Sequence, residues 1–316
     1  MTGNRLLRLA QIVILLLPAA VAYLSIGVAG ALALTLASAL FLWVANATGA
    51  RHSSAGPDLV LESILISHFV EKVRWSLDRL GVAYEEKPNV GVVGAFLRAR
   101  PVPLLHVRAG LGWSRIANSS DILRYLWGRY HVSQGERAAF LEPTEAALSW
   151  EKRFDSHGVD LQRWVYFHVL PDRDLTLGLW GVHNPTLPRW QRWVARLLYP
   201  VLCRFIGFVF GITPRAVENS VGRIESLLTH VEQTLSDGRP FVLGKQLSFA
   251  DISLAAMSSL WIRPTHFAAG EASYENGAME TPPAALADDV ARWRNQFPLT
   301  VALVERLYAN HRLTHS

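Results

Sequence analysis

Three short stretches stand out: Ser67-His68-Phe69 and Asn118-Ser119 carry side chains able to handle an anion or a sulfur nucleophile, and Val102-Pro103 opens a proline-led strand. Ser67 follows an apolar β-like run, Leu59-Val60-Leu61 through Ile66. It precedes a helical pattern in which Phe69, Val73, Leu77 and Leu80 recur at spacings of four, four and three. A serine there sits where unpaired backbone N–H groups and the positive end of the helix dipole favour negative charge. Its hydroxyl can cap the helix or hold a ligand thiolate, and the stretch alone leaves both uses open. Ser119 opens a second helical pattern, with Ile122, Leu123, Leu126 and Tyr130 on its apolar side. There too a cap formed with Asp121 in the first turn competes with an anion site.

Other reactive groups are few. Cys203 is the single cysteine, so an internal disulfide and a cysteine-based metal cluster are both excluded, and no metal site is expected. It lies in Tyr199-Pro200-Val201-Leu202-Cys203-Arg204-Phe205, an apolar setting that predicts an inert thiol. His68, beside the cap, reads as a plain surface residue.

The elements that position these groups follow in order. Gly81 stops the first helix, and Val82 to Lys87 forms a short strand that Pro88 cannot extend. Phe96-Leu97-Arg98 belongs to a small helix, Arg100 to Val107 is a proline-led strand, and Trp113 to Ile116 pairs back as a hairpin after Gly110 and Gly112. The order is β-α-β-α-β-β-α. Beyond residue 135 helical patterns take over: Thr144 to Phe154, Val159 to Leu170, Trp190 to Phe210 and Arg215 to Leu235. Ser248-Phe249-Ala250-Asp251 then supplies a capping box, with Leu247 placed to staple onto Ile252. Ala269 to Pro283 reads as an exposed loop, and Ala284 to His311 as closing helices.

Half of the 316 residues are hydrophobic and much of that excess precedes residue 46. Ile12 to Ala45 has no charged residue; as one helix it would be about 51 Å long at ~1.5 Å per residue, against a hydrocarbon core of about 30 Å. Two transmembrane helices, near 7–24 and 27–46, fit better. Arg5, Arg8 and Arg51 flank them and orient both ends toward the cytoplasm. Ala20-Val21-Ala22 resembles a signal-peptide cleavage site, but the apolar tract runs well past it. The net charge of +5 is scattered and carries no nucleic-acid motif, so no nucleic-acid partner is expected and a membrane surface fits better. Arg189 to Arg196 interleaves Trp with Arg and leads into the apolar Leu197–Ile212. That region suits either an interfacial helix on the bilayer or a helix packed within the helical domain.

Four segments in this order resemble the glutathione S-transferase superfamily over roughly residues 58–312. Ile66 to Arg74 resembles the segment bearing its catalytic serine or cysteine. Val102-Pro103-Leu104-Leu105 resembles its valine–cis-proline segment, Ile116 to Leu126 the segment that binds the γ-glutamyl end of glutathione, and Ser248 to Asp251 the capping box of its buried helix. With the membrane anchor placed at 1–50 by its apolar tract, the resemblance implies an α/β thioredoxin-like domain at 58–132 that binds glutathione and an all-α domain at 135–316. It further implies Ser67 as the residue stabilising the glutathione thiolate, with Ser67, Phe69, Val102, Pro103, Asn118 and Ser119 around the peptide. The partners expected are glutathione, a hydrophobic electrophile and the membrane, and a homodimer fits the pattern. A free thiol has a pKa of about 8.5; lowering it by two units requires about 2.7 kcal/mol, within reach of one charge-assisted hydrogen bond plus a helix dipole. Two departures stand out. Asn118 replaces the family's acidic residue before the serine, and Val70 stands where some relatives have cysteine. Metaxin-like and "failed axon connections"-like relatives suggest the alternative, a non-catalytic ligand-binding or interaction module. Arg153, Arg163 and Tyr166 lie where the helical domain would close over an acceptor pocket.

Overall fold

A computed structural model of the chain describes residues 27, 28, 30, 32–38, 56–98, 102–110, 112–270, 272, 275 and 277–312. The α/β part grows from β1 (Leu59–Ser63), all five of whose residues are buried. Such a strand must be covered on both faces and flanked on both edges. It pairs in parallel with β2 (Glu85–Pro88) and antiparallel with β3 (Leu104–Ala109), and β3 pairs antiparallel with β4 (Gly112–Ala117). The sheet order is β2-β1-β3-β4. Helices α1 (His68–Leu80), α2 (Val93–Arg98) and α3 (Ser119–Gln134) complete the expected thioredoxin-type order. Gly81 ends α1 in the left-handed conformation, φ 67°, with its N–H returning to Asp78 and Leu77 carbonyls. Pro88 does extend β2, opposite Ser63, contrary to the sequence reading. β2 is an edge strand, where a missing N–H costs no ladder bond.

The helical part begins with α4 (Glu145–Val169), a single helix of 25 residues where the sequence suggested two. Gly158 in its middle does not break it. A Cβ there would meet Met257 Sδ at 2.3 Å and His68 at 3.2 Å, so the glycine serves close approach rather than a turn. α5 (Arg173–Leu179), α6 (Arg189–Leu197), α7 (Tyr199–Val209) and α8 (Pro214–Leu235) follow. The long helix expected from Trp190 to Phe210 is broken at Leu198, just ahead of Pro200 in the first turn of α7.

α9 (Phe249–Ile262) runs through the centre of this part and is buried almost throughout. Its capping box is formed: Asp251 accepts from Ser248 N–H at 2.9 Å and, through its other oxygen, from Val242 N–H at 2.7 Å. α10 (Ala284–Gln296) and α11 (Pro298–Asn310) close the domain. The segment before α10 is not the exposed loop its composition suggests. Ala272, Glu275 and Met279 are buried, and Glu275 accepts a hydrogen bond from Asn184 at 3.2 Å.

Of the two expected membrane helices, 7–24 lies outside the described residues. Within 27–46 the described residues, 27, 28, 30 and 32–38, are helical and expose Val28, Leu32, Leu34 and Leu36. Among the described residues no single helix is long and apolar enough to cross a membrane. α7 and α8 pass that test only as a pair bent by 58°.

Candidate functional site

The fold brings the three chemical stretches to one place. Ser67 is the N-cap of α1: its backbone is extended and its Oγ accepts the Val70 N–H at 3.4 Å. Accepting a helix N–H leaves the hydroxyl proton free to donate elsewhere, so the capping and ligand-holding roles are compatible. The Val102–Pro103 peptide is cis and leads directly into β3. Asn118 caps α3 with an unusual backbone, φ 76°, its Oδ1 accepting the Ser120 N–H at 3.3 Å. Ser119 behind it is 1 % exposed, and its hydroxyl has no hydrogen-bond partner among the described residues. A buried polar group without a partner costs about 1–3 kcal/mol, so it is either a defect or half of an interaction with a ligand.

All six residues singled out by the sequence, Ser67, Phe69, Val102, Pro103, Asn118 and Ser119, line one cavity of about 670 Å³. Ser67, Asn118 and Ser119 supply polar groups to it, as do Asp121, Gln162, Thr176, Ser259 and Arg263. Most of the remaining wall is apolar and comes largely from the helical domain: Val165, Tyr166 and Val169 of α4, Phe205, Ile206 and Val209 of α7, then Trp180, Leu260 and Met279. Burial holds the Tyr166 phenol above its ordinary range, so it stays a neutral hydroxyl. Of the other two side chains expected near this pocket, Arg163 is tied to the Phe210 carbonyl at 2.7 Å, to Asp160 at 3.0 Å and to Ser220 at 2.7 Å. Arg153 lies over the Trp150 ring instead. Neither lines the cavity.

His68 departs most from the sequence reading. It is 2 % exposed rather than a surface residue, because α4 approaches closely at Gly158. Burial drives its pKa down to about 3, with His157 adding to the effect, and burial lowers His157 to about 4. Both rings are therefore neutral at ordinary pH. Lys72 was equally hidden in the sequence. Fully buried on α1, it bridges to Glu151 at 2.7 Å and Asp155 at 2.8 Å, while Asp155 accepts the Ser120 hydroxyl at 2.6 Å. This triad ties α1, α3 and α4 together immediately behind Ser119. No local sequence pattern could reveal it, since its members lie up to 83 residues apart.

Cys203 is half-buried and burial raises its thiol pKa, which suits the inert role expected of it. Among the described residues no group of three or more His, Cys, Asp or Glu side chains is placed to hold a metal ion.

The helical half supplies the deciding comparison. Residues 214–306 match the family model described as glutathione S-transferase, C-terminal domain. This stretch is similar to a glutathione S-transferase C-terminal domain. No curated protein matches the sequence. Among solved structures, the chain is similar to a glutathione transferase family member from Pseudomonas fluorescens Pf-5 with two glutathione bound (15 % identity, 80 % of this chain, 95 % of that one, TM-score 0.43). It is also similar to a glutathione S-transferase from Methylobacterium radiotolerans in complex with glutathione sulfonate (16 %, 82 %, 96 %, 0.47). A third is a Ceriporiopsis subvermispora glutathione S-transferase in complex with glutathione (15 %, 82 %, 99 %, 0.46). All three likenesses are distant.

Proposed function

We propose that the chain is a membrane-anchored glutathione transferase, with its two folded domains on the cytoplasmic side. Glutathione lies along the α/β side of the cavity, its sulfur at Ser67 and its γ-glutamyl carboxylate at Ser119. The observation that carries this reading is the Ser119 hydroxyl, buried at a helix N-terminus without a partner among the described residues and lining the same cavity as Ser67 and Val102. A carboxylate there would satisfy the hydroxyl and meet the helix dipole favourably. The backbone of Val102, just before the cis-proline, serves the cysteinyl part.

In the reaction, Ser67 donates its hydroxyl proton as a hydrogen bond to the thiolate, whose own proton has gone to solvent. The sulfur then attacks an electrophilic carbon. A carbon–sulfur bond forms, and the bond to the leaving group breaks with its electron pair departing on that group. The apolar wall selects a lipophilic electrophile. Asn118 lacks the charge that would pair with the ligand's amino group, and its Oδ1 is committed to Ser120. The carboxylate available on the same helix is Asp121, which lines the cavity and pairs with Arg124 at 3.0 Å.

The membrane setting rests on the uncharged tract from Ile12 to Ala45 and the exposed apolar residues of its described part. The test is glutathione binding by calorimetry, followed by conjugation to an aryl chloride with release of chloride. No binding at millimolar glutathione overturns the proposal. Binding without turnover of any electrophile replaces it with a ligand-binding module.

A further inference from the structure

Helices α6 and α7 present two faces of opposite character. On the inner face Gln191, Ala195, Leu202 and Ile206 are buried. Gln191 accepts from Val90 N–H at 2.7 Å and donates to Asn89 at 2.9 Å, which seats α6 on the α/β domain. Phe205 of α7 meets the Phe96 ring edge-on at 4.9 Å. The outer face carries Trp190, Trp193, Leu197, Val201 and Phe208, exposed by 46, 64, 59, 48 and 70 %. Their spacings of three, four, four and seven make one helical stripe that continues across the break at Leu198. A soluble surface does not ordinarily line up five large apolar side chains at such exposure.

Charge identifies what covers it. From Leu175 to Val217 the chain has no Asp or Glu, but it has Arg189, Arg192, Arg196, Arg204 and Arg215. Tryptophan and phenylalanine beside arginine suit the boundary between headgroups and acyl chains: rings sink to the boundary while guanidinium groups reach lipid phosphates. A second copy of the chain fits worse, because a two-fold contact through this stripe would set arginines against arginines. The bilayer is also within reach. The uncharged tract ends at Ala45, and about 13 residues of linker before β1 span at most ~45 Å.

We propose that the outer face of α6 and α7 lies in the headgroup region of an anionic bilayer, with the cavity wall formed by the inner face of α7 next to the lipid. This rests on the membrane setting proposed above and not on the glutathione chemistry.

The test uses the full chain with Cys203→Ser and one spin label, at Trp193→Cys, Leu197→Cys or Phe208→Cys, with Val132→Cys as a control on α3. Vesicle flotation comes first, followed by reconstitution into nanodiscs of phosphatidylcholine with or without phosphatidylserine. Collision of each label with oxygen, which dissolves in lipid, is compared with collision with a water-soluble nickel chelate. The expected oxygen-to-nickel ratio at 193, 197 and 208 is about tenfold that at 132, and larger with phosphatidylserine. Labels at 193, 197 and 208 as open to nickel as the label at 132, in protein that floats, overturn this inference alone. Labels shielded from both reagents and broadened by one another reveal a second copy on this face and overturn it too. Protein that does not float overturns the inference together with the membrane setting. Each labelled variant is required to keep the parent's thermal midpoint, since these are surface positions.

Discussion

The body and the N-terminal end of α1 are built to opposite rules. Along its body, from Glu71 to Asp78, the buried charges are matched. Arg74 pairs with Glu71 at 2.7 Å and Glu86 at 2.8 Å, and Arg312, from the far end of the chain, pairs with Glu71 and Asp78 at 2.8 and 2.7 Å. At the N-terminal end hydrogen-bonding capacity is left over. Ser67 keeps a proton to donate, and the neighbouring Ser119 hydroxyl has no partner among the described residues. Saturated polar groups hold a structure in one arrangement, whereas unsatisfied ones at the end of an apolar cavity await something that enters it. One helix thus joins the part that holds the two domains together to the end that lines the cavity.

The contrast is broken most severely in the saturated part. Arg312→Ala removes the cation that Glu71 and Asp78 share, leaving Arg74 on Glu71 and the Tyr84 hydroxyl on Asp78, and is expected to cost about 3–5 kcal/mol in urea unfolding. A loss below 1 kcal/mol would mean that the cluster is more hydrated than its geometry implies.

Acid comes next in size. His68 and His157 accept protons in the fold only near pH 3 and 4, against ordinary values of 6.5. The unfolded chain therefore binds protons first. The stability present above pH 6.5 is lost as pH falls toward those values, at up to about 1.4 kcal/mol per pH unit for each ring. Unfolding free energies from pH 7 to 4.5 should fall steeply in the parent and less steeply in His157→Gln.

At the unsaturated end the effects are smaller and separate binding from stability. Ser119→Ala removes a hydroxyl that has no partner among the described residues, so its unfolding free energy should be no more than about 0.5 kcal/mol below the parent's and is expected to match or exceed it. Glutathione affinity should nevertheless drop about tenfold or more, the equivalent of one hydrogen bond to a charged group. Ser67→Ala should cost about 1 kcal/mol of stability, because it also removes the cap of α1. A Ser119→Ala variant that loses stability and keeps its affinity would invert the comparison.

Much of this was legible before any coordinates. The succession of elements, the stop at Gly81 and the capping box at Ser248 and Asp251 follow from local rules of periodicity and capping, and the grouping of Ser67, Val102 and Ser119 follows from the family resemblance. What stayed hidden depends on contacts distant in sequence. His68 looked exposed because only the approach of Gly158, on another helix, buries it. Lys72 and Arg312 look like ordinary surface charges until Glu151, Asp155, Glu71 and Asp78 are folded around them. Ala269 to Pro283 has loop composition, yet Ala272, Glu275 and Met279 are buried by contacts that composition does not reveal. Arg189 to Phe210 could be read two ways because periodicity reveals that a helix has two faces, not which of them is covered.

The central claim is that Ser67 stabilises a glutathione thiolate, and the ultraviolet absorbance of bound thiolate, titrated against pH, measures it directly. The account predicts an apparent thiol pKa about two units below the free value of about 8.5 in the parent, rising back toward 8.5 in Ser67→Ala. Bound glutathione that titrates like the free thiol in the parent, or identically in both proteins, would contradict it.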